Sequence, residues 1–178
     1  MRNPIPKGDG TMTTLYAQPY DISATGFYFE TVQQYEEHAA KAVNDYGEPV
    51  EEFEIQFIDG EAIDAALAKA WEISQGNIAA YLEAVEDWEY HSKVRFIIAM
   101  EQGIRFDPAA DDIDLLDVDI HSAETLRELA EQFVDDGYYG DIPEALSGYI
   151  DYDAIARDLA MDYAETVIAG EPLVYRCE

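Results

Sequence analysis

Residues 14–60 read TLYAQPYDISATGFYFETVQQYEEHAAKAVNDYGEPVEEFEIQFIDG, and a change of hydrophobic period inside this stretch decides the fold. Residues 15–20 and 26–29 predict two short strands joined by a polar turn. In residues 53–58, Phe53, Ile55 and Phe57 alternate with polar neighbours, the pattern of a half-buried third strand. Between them, Val32, Tyr35, Ala39 and Val43 recur at helical spacing. Thr31 stands at the N-cap, and Gln34, three positions on, supplies the partner of a capping box. Strand, strand, helix and strand together predict a small α/β unit.

Downstream of this unit the period becomes helical. Residues 61–102 predict helices broken at Gly76 and near His91, with Gly103 where a helix C-terminus wants a left-handed residue. Residues 107–114 form an acidic loop containing Pro108. Residues 115–120 then predict a strand, and Ser122 caps a helix running to Asp136 that Gly137 stops. Pro143 suits the first turn of a short helix. Asp151 caps another from Tyr152 to about Met161, and residues 166–168 and 173–175 predict a hairpin around Gly170. Upstream, residues 1–13 are rich in Gly, Pro and Thr and predict a flexible tail, with Met12 an alternative start.

The expected fold class is therefore α+β, an elongated chain of small α/β and helical domains with a highly acidic surface. The expected organisation is a tail at 1–13, an α/β domain at 14–60, a mostly helical domain at 61–106 and a C-terminal α/β domain at 107–178.

Charge restricts the partners. Ten Lys and Arg face 39 Asp and Glu, a net charge of −29. A protein that binds nucleic acid must displace counterions from phosphates with cations, and anionic membrane surfaces also select Lys and Arg. Both are excluded as direct partners; an electrostatically steered partner is basic. With 48% hydrophobic and 12% aromatic residues the chain has enough apolar material to fold around a core. An elongated shape would relieve the self-repulsion of so much charge. The single cysteine, Cys177, permits no intrachain disulfide, and no segment approaches the roughly 20 apolar residues of a membrane span. The first ten residues carry Arg2 and Lys7 without an apolar signal core, so the expected location is cytoplasmic.

The acids are arranged, not only abundant. At about 100° per residue, Glu124, Glu128, Glu131 and Asp135 fall within roughly 60° of one another, opposite Leu126, Leu129, Ala130 and Phe133. The helix predicted from Asn77 repeats the design, with Glu83, Glu86 and Asp87 opposite Ile78, Tyr81, Leu82, Val85 and Trp88. The acidic series continues through Asp111, Asp112, Asp114, Asp117 and Asp119 between these helices and through Asp136 beyond them. Any single stripe is also what a solvated helix face looks like. Missing lysine separates the two readings: an ordinary face interleaves both signs, yet after Phe106 the only Lys or Arg residues are Arg127, Arg157 and Arg176.

Residues 126–163, LRELAEQFVDDGYYGDIPEALSGYIDYDAIARDLAMDY, resemble the C-terminal region of the ArdA antirestriction proteins of conjugative plasmids and other mobile elements. The most characteristic parts are Gly140-Asp141-Ile142-Pro143-Glu144, Tyr149-Ile150-Asp151-Tyr152 and Ala156-Arg157-Asp158-Leu159. Residues 15–29, LYAQPYDISATGFYF, are similar to the family's N-terminal segment. The resemblance implies an elongated homodimer that mimics bent DNA and binds type I restriction-modification enzymes, without catalysis or cofactor. It also places the antirestriction motif around residues 140–153, close to the dimer contact. Within it, Ile142, Leu146, Tyr149, Ile150 and Tyr152 offer an apolar contact, while Asp141, Glu144, Asp151 and Asp153, followed by Asp158, extend the acidic surface.

Other chemistries find little support in the residues. His38, His91 and His121 are scattered without zinc-site spacing, and exposed or capping histidines account for them. Asp117, Asp119 and Glu128 match positions 1, 3 and 12 of a calcium loop, but Ser122 stands where glycine is required. No nucleophile-elbow, phosphate-loop or dinucleotide motif occurs. Two alternatives stay open: a DNA mimic aimed at another nucleic-acid-binding target, such as a CRISPR effector or nucleoid protein, and a generic acid-adapted globular protein.

Overall fold

The computed structural model describes residues 12–177 apart from Ala109. These form two compact units, one up to Asp114 and one from Leu115 onward. Both are mixed α and β, each with its own three-stranded antiparallel sheet.

In the first unit, β1 (Thr14–Pro19) lies between β2 (Phe27–Phe29) and β3 (Phe53–Asp59). The register pairs Leu15 with Phe29 and Phe57, and Ala17 with Phe27 and Ile55. Leu15, Ala17, Phe29, Phe53 and Ile55 are buried together, so the alternation legible around Phe53 is the inner face of this sheet. Helix α1 (Val32–Ala39) lays Tyr35 on that face, its ring 5.1 Å from Phe29 and 6.3 Å from Phe53. Thr31 Oγ1 accepts from the Gln34 N–H at 3.2 Å, and Gln34 Oε1 accepts from the Glu30 N–H at 2.7 Å. The expected extension of α1 to Val43 does not occur. Val43 is exposed and bridges to Pro49, because Asn44 Oδ1 accepts from the N–H groups of Tyr46 and Glu48 and folds residues 44–48 into a turn.

Three helices follow, α2 (Ala62–Trp71), α3 (Ile78–Asp87) and α4 (Tyr90–Glu101). Gly76 does lie between the first two, but α2 ends earlier, at Glu72, whose φ of 51° is left-handed. The break expected near His91 falls at Trp88 and Glu89, and Gly103 has the left-handed φ, 71°, expected of it. Trp71, Tyr81, Trp88, Phe96 and Phe106 form an aromatic cluster, with Trp71 and Phe96 stacked at 4.5 Å. Gln75 ties these helices to the sheet: its Oε1 accepts from the Phe53 N–H at 2.8 Å, and its Nε2 donates to Tyr35 Oη and to the Glu51 carbonyl, both at 2.9 Å.

The tail expected at 1–13 lies, as far as residue 11, outside the described residues. Its last member, Thr13, is buried and donates from Oγ1 to Asp64 Oδ2 at 3.2 Å, so order begins before β1.

In the second unit β6 (Glu171–Cys177) is central, flanked by β4 (Val118–His121) and β5 (Ala164–Ile168). The strand expected at 115–120 is shorter at its start, because Ile113–Leu115 form a 3-10 turn and Leu115 is exposed. The hairpin is longer than expected, running from Ala164 opposite Tyr175 to Ile168 opposite Glu171. Its two-residue loop, Ala169 and Gly170, has φ of 53° and 86°, the two positive values of a type I′ turn.

Helix α5 spans Leu126–Asp135, α6 Glu144–Ser147 and α7 Tyr152–Leu159. Thr125, not Ser122, caps α5: Thr125 Oγ1 accepts from the Glu128 N–H at 3.2 Å, while Glu128 Oε2 reaches back to the Glu124 N–H at 2.8 Å. A Thr-x-x-Glu pair satisfies two orphan donors where Ser122 offers one. Asp151 caps α7 as expected, accepting from the Ala154 N–H at 2.9 Å. The core joins Ala123, Leu129, Phe133 and Val174, with Leu126, Leu159 and Tyr163 packed against it.

Candidate functional site

The apolar periodicity that builds each helix also decides where its acids point. Ile78, Tyr81 and Ala84 of α3 are buried, which leaves Glu83, Glu86 and Asp87 in solvent. Leu129, Ala130 and Phe133 of α5 are buried, which leaves Glu124, Glu128, Asp135 and Asp136 outward. Asp111, Asp112, Asp114, Asp117 and Asp119 are exposed on the turns and on β4; Asp141, Glu144, Asp151, Asp153 and Asp158 are exposed on and around α6 and α7. Of all the acids singled out from the sequence, Glu131 alone is half-buried.

Not all of them are free to meet a partner. Arg127 pairs with Glu131 at 3.2 Å and with Asp153 at 2.5 Å; Arg176 pairs with Asp119 at 2.7 Å, and Arg95 approaches Asp114 at 3.6 Å. The Arg127 guanidinium is held above its ordinary range chiefly by Asp153 and secondarily by Glu131. Glu128 and Asp151 are committed to caps, and Asp111 and Asp112 accept backbone N–H bonds from Asp107 and Asp114. Glu83, Glu86, Asp87, Glu124, Asp135, Asp136, Asp141, Glu144 and Asp158 carry no ion pair among the described residues. These carboxylates can accept charge-assisted bonds from Lys or Arg without first giving up a partner.

The sequence reading omitted the acids of the first sheet and α1. Glu36, Glu37, Glu51, Glu52, Glu54 and Asp59 are all exposed. Their signal was present, since Glu54 alternates with buried Phe53 and Ile55, and Glu36 and Glu37 flank buried Tyr35. Asp64 is the exception in the other direction, 3% exposed and paired with buried Lys93 at 2.6 Å. The Tyr81 hydroxyl donates to the Asp64 carbonyl at 2.9 Å, and its pKa is pushed far up, first by burial and then by the Asp64 carboxylate.

The motif at 140–153 is open to solvent. Gly140 has φ 84° and lets the chain turn after Tyr138 and Tyr139, which are 76% and 53% exposed. Pro143 occupies the N-cap of α6; Leu146 is 54% and Tyr149 85% exposed, whereas Ile142, Ile150 and Tyr152 are half-buried. Neither α6 nor α7 contains a fully buried residue.

The histidines are not alike. His38 is exposed against the edge of Phe27, and His91 is exposed beside Tyr90. His121, expected to be exposed or capping, is instead half-buried between Phe133 and Tyr163, 5.6 and 5.5 Å from their rings. Burial lowers its pKa more than nearby Asp119 raises it. The calcium-loop spacing has other uses: Asp119 pairs with Arg176 and Glu128 serves the α5 cap.

No helix among the described residues is long and apolar enough to cross a membrane. No curated protein matches the sequence. Residues 11–171 match the family model described as antirestriction protein (ArdA), nearly the whole length over which these carboxylates are displayed, and the chain belongs to the ArdA antirestriction family.

Proposed function

We propose that this antirestriction protein inhibits type I restriction-modification enzymes by standing in for duplex DNA in their basic groove. The reading rests on one observation above the rest: unpaired carboxylates fixed on the solvent faces of α3, α5 and the motif, in a chain with a net charge of −29. A groove lined with Lys and Arg to neutralise phosphates meets similar charge here without sugar or base. Carboxylates held on folded helices have already lost the conformational freedom that an acidic tail would give up on binding. No step of bond chemistry is required, so the protein acts as an inhibitor and not as an enzyme. We place the homodimer contact at Ile142, Leu146, Tyr149, Ile150 and Tyr152, and the protein in the cytoplasm with its target.

The test is competition with a DNA duplex for a purified type I enzyme. The wild type is set against a variant in which Glu83, Glu86, Asp87, Glu124, Asp135 and Asp136 are replaced by their amides. None of these six side chains makes a capping hydrogen bond or an ion pair among the described residues, and Asp136 caps the end of α5 through its backbone N–H alone, so the change removes charge and not structure. Wild type is expected to displace DNA with an affinity that falls steeply with salt, and the variant to fail; equal displacement by both would sink the mechanism. A CRISPR effector and a nucleoid protein run in parallel decide whether the target class is correct.

A further inference from the structure

A cavity of about 720 Å³ opens in the first unit between the start of α1, the start of α2 and one side of α3. Its lining combines two chemistries. Val32, Leu82 and Val85 supply an aliphatic wall, and Glu30, Glu61, Glu83 and Glu86 supply carboxylates, the last two exposed and the first two half-buried. None of these four has an ion pair among the described residues. The fifth lining carboxylate, Asp64, is buried and neutralised by Lys93, which also lines the cavity.

This combination selects its ligand. Anions are repelled by four uncompensated carboxylates. A divalent metal wants several oxygens converging at 2.0–2.6 Å, and among the described residues no three acidic, histidine or cysteine side chains are gathered so. A chain of methylenes with ammonium groups spaced along it satisfies both halves of the lining: carboxylates each take one ammonium, and the aliphatic wall covers the carbons between. Lys93 is an internal example, with its stem buried and its Nζ bonded to Asp64 at 2.6 Å and to the Val85 carbonyl at 2.9 Å. We infer that this cavity is a binding site for a linear aliphatic polyamine.

The experiment is calorimetric titration of the full chain with spermidine, with putrescine and magnesium chloride as comparators, at constant ionic strength. Ala79→Trp fills the mouth from an exposed α3 position that lines the cavity. Glu83→Gln/Glu86→Gln removes two of the carboxylates, and Asp162→Asn/Glu171→Gln makes the same change of charge in the other unit. Expected are one saturable spermidine site, weaker putrescine binding, a loss of at least tenfold in affinity in the first two variants and none in the third. Diffuse binding that magnesium abolishes equally, that survives Ala79→Trp, or that weakens alike in all three variants would reduce the effect to counterion attraction and overturn the site. No spermidine heat at all would do the same. Since no restriction enzyme takes part, either outcome leaves the antirestriction reading where it stands.

Discussion

Lys93 of α4 and Asp64 of α2 form an ion pair of 2.6 Å inside a protein whose other described carboxylates face water or lie half-exposed. Thr13 and the Val85 carbonyl complete the pair's hydrogen bonding, and Tyr81 holds the Asp64 backbone. Removing one charge leaves the other buried and unpaired, which costs about 3–5 kcal/mol, whereas neutralising both can be nearly free. Lys93→Met is therefore expected to lower the urea midpoint sharply, and Lys93→Met/Asp64→Asn to recover most of the loss. A double variant no more stable than Lys93→Met would show that the two groups are not coupled.

His121 gives the second unit a pH response of its own. Its imidazole lies between Phe133 and Tyr163, with Asp119 and Arg176 as the charged neighbours, and its Nε2 is buried without a hydrogen-bond partner among the described residues. Burial lowers the folded pKa below the unfolded one, so as pH falls through about 6.5 the unfolded chain takes up a proton that the folded chain refuses. Stability contributed above that pH is lost as it falls, and the loss levels off once pH drops below the lowered folded value. Comparing wild type with His121→Phe between pH 7.5 and 5.5 cancels the carboxylates common to both. The wild type should lose more stability over this interval, and parallel curves would remove His121 as the cause.

How much of this was legible beforehand depended on range. The Thr31 and Asp151 caps, the alternation of Phe53 and Ile55 and the Gly170 turn were readable because each is settled within a few residues. The outward placement of the acids on α3 and α5 was readable too, since apolar residues claim the opposite face. Thr125 displaced Ser122 because Glu128 completes a reciprocal cap that a list of cap-forming residue types does not weigh. Asp64 and Lys93, and Asp119 and Arg176, are joined only by the folded chain, 29 and 57 positions apart, and no local pattern marks which acids will be neutralised. Half-buried His121 was missed for the same reason, its neighbours Phe133 on α5 and Tyr163 just ahead of β5 being brought to it only by the fold.

Thr125→Ala tests the cap that replaced the expected one. It leaves the Glu128 N–H without its acceptor and should destabilise the second unit by about 1 kcal/mol. Ser122→Ala should be near neutral, because among the described residues the hydroxyl that accepts at the α5 N-terminus is that of Thr125. Thermal unfolding of the two variants decides between the caps, and a larger effect at Ser122 would reverse the assignment.

Arg127 spends its charge on Glu131 and Asp153, two carboxylates of the proposed recognition surface. Arg127 and Asp153 are exposed and Glu131 is only half-buried, so losing the two pairs should scarcely move thermal unfolding. On the DNA-mimic reading, Arg127→Gln frees both carboxylates for the enzyme's cations and should strengthen competition with DNA, with a steeper dependence on salt. Weaker competition by a folded Arg127→Gln protein would mean that the α5–α7 face is recognised with its arginine in place.

Tyr149 and Leu146 leave large apolar surfaces in water at the centre of the motif, and Tyr138 adds a third close by in sequence. Exposed apolar groups gathered in one segment are best covered by a partner, and a self-complementary contact covers them twice in one association. If they form the homodimer contact, Leu146→Asp/Tyr149→Ala should be monomeric by light scattering at concentrations where the wild type is dimeric. Both positions are exposed, so the fold and its circular dichroism should be kept, and Tyr149→Phe should remain a dimer. A variant that stays dimeric moves the contact elsewhere on the chain. A wild type monomeric at every concentration removes the homodimer, and inhibition would then be carried by the carboxylates of a single chain.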